Sequence, residues 1–470
     1  MKLLLHAATA AAAGLLAACA SPPAVAPDLP LPAATQWHAP LPHGGRVSDL
    51  SDWWTQFNDP TLPPLIAAAQ AASPTLATAQ ARIERARAAR TAASATLLPR
   101  VDAVGQASSG RALPRQAVAS SASLGVQAAW ELDLAGAAAA GRDAAQARFE
   151  GAQAGWHEAR VSVAAEVATV YIALRGCEAQ VQQSRLDAQS RAETARLTEL
   201  TARAGFTAPA DAALARAGAA QSRGLLLSHQ AACETLLKGL VEISALAETE
   251  LRQRLAARTA LLPQPEPIML GALPASLLGQ RADLAASARD IVAAAGDQAQ
   301  AQALERPQVS LAGSLAGLSL RSGGVASSGA SWSLGPLVVS FPLFDGGARA
   351  AASAAARADY EAALARYRAL LRQAVREVET SLVVLDSTAA RQLDAEAAAR
   401  DFEASLRATQ ARHSGGLASL FELEAARRNA VQAHSALIEL QRERAAAWVA
   451  LYRALGGGWT TARLAAPAQP

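Results

Sequence analysis

Few side chains in this sequence are able to do covalent chemistry. Three cysteines and seven histidines stand among 470 residues, and the histidines are scattered. No His-Glu-x-x-His pair offers zinc ligands beside a general base, no Cys-x-x-Cys offers a metal or redox pair, and no Gly-x-Ser-x-Gly elbow presents a nucleophile. A glycine-rich loop that would cradle phosphate is missing as well. Isolated helix histidines such as His157 and His434 read as surface or seam residues. The spacing therefore predicts no enzyme, no metal and no cofactor.

Cys19 is the cysteine with a chemical assignment. Lys2 and an apolar stretch too short to span a bilayer lead into Leu16-Ala17-Ala18-Cys19. The pattern resembles a bacterial lipobox, in which 1–18 is a signal peptide and the Cys19 thiol takes a diacylglyceryl group before cleavage. An ordinary signal peptide with a chance cysteine is the bland alternative. Ala20, where an Asp would resemble an inner-membrane retention signal, favours sorting outward. Two or more acyl chains make such an anchor stable, since one chain binds only marginally.

Cys177 and Cys233 lie about 28 residues before and after a Gly205-Phe206-Thr207-Ala208-Pro209 turn. Antiparallel helices folded there bring both to the same height, within roughly one 1.5 Å rise. In an oxidising compartment this predicts a Cys177–Cys233 disulfide, against the alternative of two buried thiols in a helix seam.

Long helices must carry those cysteines. The chain is 51% hydrophobic but only 4% aromatic, and alanine, the best helix former, dominates it. The formal charge of +3 and a pI near 9.0 are mild, and Arg and Glu alternate without the basic runs that nucleic acid requires. No stretch reaches about 18 consecutive apolar residues of transmembrane character, so any membrane-spanning part must be β.

Residues 19–50 are rich in Pro and Ala and read as an extended tether behind the lipid. A first helix is expected from about Asp59-Pro60 to Thr96, ended by Leu97-Leu98-Pro99. Strands are expected at about Val101–Ser109 and Ser123–Leu134. In the second, Leu124, Val126, Ala128, Trp130, Leu132 and Leu134 alternate with Ser123, Gly125, Gln127, Glu131 and Asp133, which suits a barrel strand facing lipid on one side and water on the other. A half-buried strand of a soluble sandwich fits that segment alone equally well. Helix is expected from Gly136 to Ala204, about 100 Å at 1.5 Å per residue. A return helix follows from about Ala210 to Leu255.

The pattern then repeats. A helix from about Pro274 to Leu304, strands at Ser310–Leu320 and Ser331–Leu343, and a second long helix from Ala348 to His413 reproduce the first half about 210 residues later, with a break at Gly415-Gly416 matching Gly205. The expected organisation is a first repeat over 51–260, a second over 261–459 and a tail at 460–470. Each repeat holds two strands and a long helical hairpin, so the fold is mainly α with a membrane β part. Four strands cannot close a barrel, for which about eight is the practical minimum, and an open edge is forbidden in a bilayer. Several copies of the chain must therefore share one barrel.

These residues resemble the outer-membrane efflux protein family, TolC-like, in its lipoprotein branch typified by NodT-like and OprM-like proteins. Trp53-Trp54 with Phe57-Asn58-Asp59-Pro60 resembles its opening signature. Pro342-Leu343-Phe344-Asp345-Gly346-Gly347 resembles the start of its second long helix, and Leu451-Tyr452-Arg453-Ala454-Leu455-Gly456-Gly457-Gly458-Trp459 its closing signature. Leu273-Pro274 with Arg281-Ala282-Asp283-Leu284 matches an internal signature whose usual Pro is Ala282 here.

The resemblance implies a homotrimer with a barrel of about twelve strands in the outer membrane, continuing into a periplasmic α-barrel. It implies a passive exit duct for drugs or other small molecules, docked by a periplasmic adaptor to an inner-membrane pump of the RND type. The mouth would lie at the hairpin turns, Gly205 and Gly415-Gly416. There the family's apolar constriction falls on Phe421 and its Arg on Arg428, whereas its usual Asp is Ala425. Glu424 or Glu422 is the substitute acid in a neighbouring register, and Asp211 is a further source of charge. Simple helix packing by Phe421 and Arg428, and helix N-terminal stabilisation by Asp211, are the competing readings. A lipid-anchored periplasmic scaffold or adaptor, or a duct for protein or metal-ion export, are the alternative functions.

Overall fold

A computed structural model of the chain describes residues 39, 50–111, 117–265 and 275–457. The predicted signal peptide, Cys19, the tether apart from Ala39 and Leu50, the Leu273-Pro274 signature residues, Gly458-Trp459 and the 460–470 tail lie outside the described residues.

Helices α1 (Leu62–Ala72) and α2 (Pro74–Ala95) come first, then strands β1 (Arg100–Gly110) and β2 (Ala119–Leu132). Next are α3 (Ala137–Arg203), α4 (Pro209–Ser244) and α5 (Glu248–Ala256). The second half supplies α6 (Ala282–Ala303), β3 (Gln308–Ser322), β4 (Val325–Ser340), α7 (Ala348–Ser414) and α8 (Leu420–Ala454). α3 and α7 each run 67 residues. A helix of that length is about 100 Å long.

The chain forms two compact units, and each draws on both sequence repeats. Of the described residues the first takes those within 80–154 and 285–369, and the second Ala39, 50–79, 155–265, 275–284 and 370–457.

In the first unit the four strands make one antiparallel sheet in the order β1-β2-β3-β4. Its register sorts side chains cleanly by face. Ala103, Val126, Leu315 and Trp332 form one row across the sheet, and Val101, Ala128, Gly313 and Leu334 the next. Asp102, Gln127, Ser314 and Ser333 form a row on the other face, where the Ser314 and Ser333 hydroxyls are 2.9 Å apart. Near Gly335-Pro336 the register shifts, with one extra residue on β4. The bulge turns even-numbered Trp332 and Leu334 and odd-numbered Leu337 and Val339 to the same apolar side. Trp332 is 78% and Leu334 81% exposed in the single chain. Among the described residues β1 and β4 each pair on one side only.

α3 and α6 pack closely in this unit because Gly296 lacks a side chain. A Cβ there would stand 2.9 Å from the Ala144 Cβ and 3.1 Å from the Ala140 carbonyl oxygen.

The second unit holds the principal aromatic core. Trp53 and Trp54 pack on Trp448 and Tyr452, with the Trp54 and Tyr452 rings 4.6 Å apart. Leu62, Leu65, Ile172, Leu240 and Leu451 surround them, all buried. The opening and closing signature residues thus pack together.

Several element boundaries differ from the sequence expectation. The first helix is interrupted at Ser73, whose hydroxyl accepts the Leu76 N–H at 3.3 Å and restarts the helix at Pro74. The return helix stops at Ser244, where Ala245 takes a left-handed conformation at φ 53°, before α5 begins. The expected helix start at Pro274 lies outside the described residues, and Ala275–Gln280 just after it form a 3-10 turn ahead of α6. β2 ends at Leu132, so Asp133 faces no barrel water: its carboxylate accepts the Ala138 and Ala139 N–H groups at 3.1 and 2.7 Å and caps α3. β3 and β4 are longer than expected, joined by Gly323-Gly324 at φ 57° and 82°, which suits a tight hairpin.

Candidate functional site

The two helical hairpins of the second unit end in near-identical turns. Gly205 and Gly416 take left-handed φ of 79° and 74°. Past each glycine, an N–H reaches back to close the helix: Phe206 to the Thr201 carbonyl at 2.9 Å and Leu417 to that of Arg412 at 2.8 Å. This is the Schellman arrangement. Gly415, which the repeat spacing matched to Gly205, does not carry the left-handed conformation, so the structural repeat is 211 residues between Gly205 and Gly416. Phe206 and Leu417, the residues after the two glycines, are exposed.

Ser419 starts α8 with a capping box. Its hydroxyl accepts the Glu422 N–H at 3.1 Å, and the Glu422 carboxylate accepts the Ser419 N–H at 2.7 Å. That backbone donor holds the Glu422 carboxyl below the usual carboxylate range.

Leu420, Leu423, Arg427 and Ala430 form the buried face of α8. Arg427 is therefore a buried cation, and burial pushes its pKa down, although a guanidinium stays protonated. It is compensated from two helices. Glu424 pairs with both Arg427 and Arg191, Arg191 pairs with Asp187 at 2.9 Å, and Arg427 donates to the Thr194 hydroxyl at 3.1 Å. The network ties α8 of the second hairpin to α3 of the first.

The face of α8 opposite this contact carries Phe421, Ala425 and Arg428. Phe421 is 70% exposed and Arg428 is exposed. Seven residues, about two turns, separate them, which sets both on one stripe. Of the site residues expected from sequence, the structure brings Phe421 and Arg428 together on that stripe. Glu424 turns to the other side, into the buried network, and Glu422 is occupied by the cap. Asp211 lies exposed in the first turn of α4. Sequence reasoning missed Asp187, Arg191, Thr194 and Arg427. The signal was present, because Arg427 sits at a buried position of the Leu420, Leu423, Ala430 periodicity.

Further along the first hairpin Cys177 and Cys233 are joined in a disulfide, with Cα atoms 5.6 Å apart. Among the described residues no group of His, Cys, Asp and Glu has the arrangement to hold a metal ion, and no helix is long and apolar enough to cross a membrane.

A sheet with one apolar face and helical hairpins that end in exposed turns are the parts expected of a channel-type outer-membrane protein. Comparison with known proteins agrees. The sequence pattern of the outer membrane efflux protein family matches residues 65–244 and 273–457. Nodulation protein T of Rhizobium leguminosarum bv. viciae is 26% identical over 473 residues, covering 96% of this chain and 93% of its own length. Pyoverdine export outer membrane protein OpmQ of Pseudomonas aeruginosa is 28% identical over 466 residues, covering 96% of each. Among solved structures the outer-membrane channel OprN superposes with a TM-score of 0.79 at 27% identity, covering 93% of this chain and 99% of that one. The Campylobacter jejuni CmeC outer membrane channel shares the fold, with a TM-score of 0.82 at 21% identity over 92% of this chain and 95% of its own. The chain belongs to the outer membrane efflux protein family. It is an outer-membrane efflux channel of the kind that serves tripartite pumps.

Proposed function

We propose that three copies of the chain pool their strands into one barrel, anchored by acylated Cys19, and their hairpins into a duct reaching into the periplasm. An inner-membrane pump of the RND type delivers drugs or other small molecules through a periplasmic adaptor, and the duct supplies a passive path with no chemistry of its own. The observation that carries this reading is the four-stranded sheet with an apolar face and a single-sided β1 and β4. A bilayer leaves no water to satisfy those edges, so neighbouring copies must. The names of two relatives, one for pyoverdine export and one for toluene efflux, support small-molecule cargo. Phe421 narrows the mouth and the Cys177–Cys233 bridge staples the first hairpin.

Cell fractionation with electrophoresis tests the proposal. The protein should co-sediment with outer membrane and migrate as an oligomer that boiling converts to monomer. A monomer in the soluble periplasm would favour a lipid-anchored helical scaffold instead.

A further inference from the structure

We propose that Arg428 makes the mouth of the duct selective for anions, so that its preferred cargo carries a carboxylate, sulfonate or phosphate group. The proposal rests on the reading of the hairpin ends as the duct mouth.

Charge bookkeeping at those ends leads to it. Residues 187–223 and 400–428 contain ten arginines and eight carboxylates. Every carboxylate there except Asp211 stands within 4.0 Å of an arginine nitrogen. Among the described residues, Arg223 and Arg428 are the arginines of these segments with no carboxylate partner. Arg223 lies on α4, four turns past the first tip. Arg428 shares the exposed α8 stripe with Phe421, on the side turned away from the helices of its own chain.

Among the described residues no carboxylate stands within 4.0 Å of it, and Asp211, the one carboxylate of these segments without an arginine beside it, lies on α4 of the other hairpin. Ala425, between Phe421 and Arg428 on the stripe, has no charge to offer. Glu422 is held by the Ser419 cap, and Glu424 by Arg191 and Arg427. Copies arranged around one axis repeat the same residue, so Arg428 becomes a ring of guanidinium groups beside an apolar constriction. Low-dielectric walls focus such a field and raise the local concentration of the opposite charge. The forked N–H donors of arginine also match the paired oxygens of a carboxylate, sulfonate or phosphate. A guanidinium does not deprotonate in the working pH range, so the preference should not change between mildly acidic and neutral pH.

Reversal potentials of the full-length lipoprotein in planar bilayers under a KCl gradient test this. Wild type should pass chloride over potassium. Arg428→Gln should lower that permeability ratio and Arg428→Glu should bring it below unity, while Arg223→Gln leaves it unchanged. A wild-type channel that prefers potassium, or an Arg428→Glu ratio equal to wild type, overturns the anion assignment while the duct reading stands. Failure of the folded, oligomeric protein to conduct any ion would instead remove the duct reading beneath it.

Discussion

The Tyr171 hydroxyl donates to the Asp59 carboxylate at 2.6 Å, across 112 residues of sequence, and both side chains are buried. The same carboxylate accepts the Thr61 N–H at 2.9 Å and lies 3.4 Å from Arg258. Arg175 stacks over the Tyr171 ring at 4.9 Å and donates to the Leu255 carbonyl. One buried acid therefore fastens the opening signature to α3 and to the end of α5. Asp59→Ala leaves the phenol without its acceptor and should lower stability by about 1–3 kcal/mol, read as denaturant midpoint.

The phenol also dictates a pH response. Burial first, and then the hydrogen bond to Asp59, push the Tyr171 pKa up to about 12. The folded protein thus keeps this proton where the unfolded chain, with an ordinary pKa near 10, loses it. Stability is full below pH ~10 and declines by about 2–3 kcal/mol as pH rises to ~12. Tyr171→Phe should remove that part of the alkaline decline, measured by thermal unfolding across this range.

The Glu424 network gives a second expectation. Glu424→Gln leaves Arg427 buried with no carboxylate beside it, and breaking a buried pair this way costs about 3–5 kcal/mol locally. The first turns of α8 should lose amide protection in hydrogen exchange, with the Trp53 and Trp448 core unaffected. Equal loss of protection in both places would show that the network acts on the whole unit.

For the disulfide, a free-thiol count on the denatured, unreduced protein should find no reactive Cys177 or Cys233. The bridge closes a loop of 56 residues. A chain-entropy treatment assigns such a loop about 4 kcal/mol. Reduction should lower the melting temperature of the second unit accordingly, and an unchanged melting temperature would mean that native-state strain offsets the gain.

Phe421→Ala should raise single-channel conductance in planar bilayers, because the side chain projects from the tip stripe. Unchanged conductance would move the constriction elsewhere.

Much of this architecture was legible in the sequence where local and global preferences agree. α7 has neither Gly nor Pro between its ends and α3 has no Pro, its four interior glycines being outweighed by the alanines around them, so the flanking left-handed glycines mark both helices to within about a residue. The positions where reading by periodicity went astray share a cause. Pro74 is tolerated as a first-turn residue, which hides a helix restart inside an apparently continuous apolar pattern. Ala245 adopts a left-handed conformation that no alanine advertises. The Gly335-Pro336 bulge reverses the parity of β4, so Trp332 and Val339 look like opposite faces in sequence and share one in the sheet. At the tips, composition names Glu424 and Arg428 equally, and only helix packing shows that one turns inward and the other out.

The mass of the purified protein in mild detergent tests the central claim most directly. Strands that leave β1 and β4 paired on one side only should be satisfied by neighbours, giving a particle of three chains once bound detergent is subtracted. A monomer of full stability, with Trp130 and Trp332 shielded inside a water-soluble body, would contradict the account.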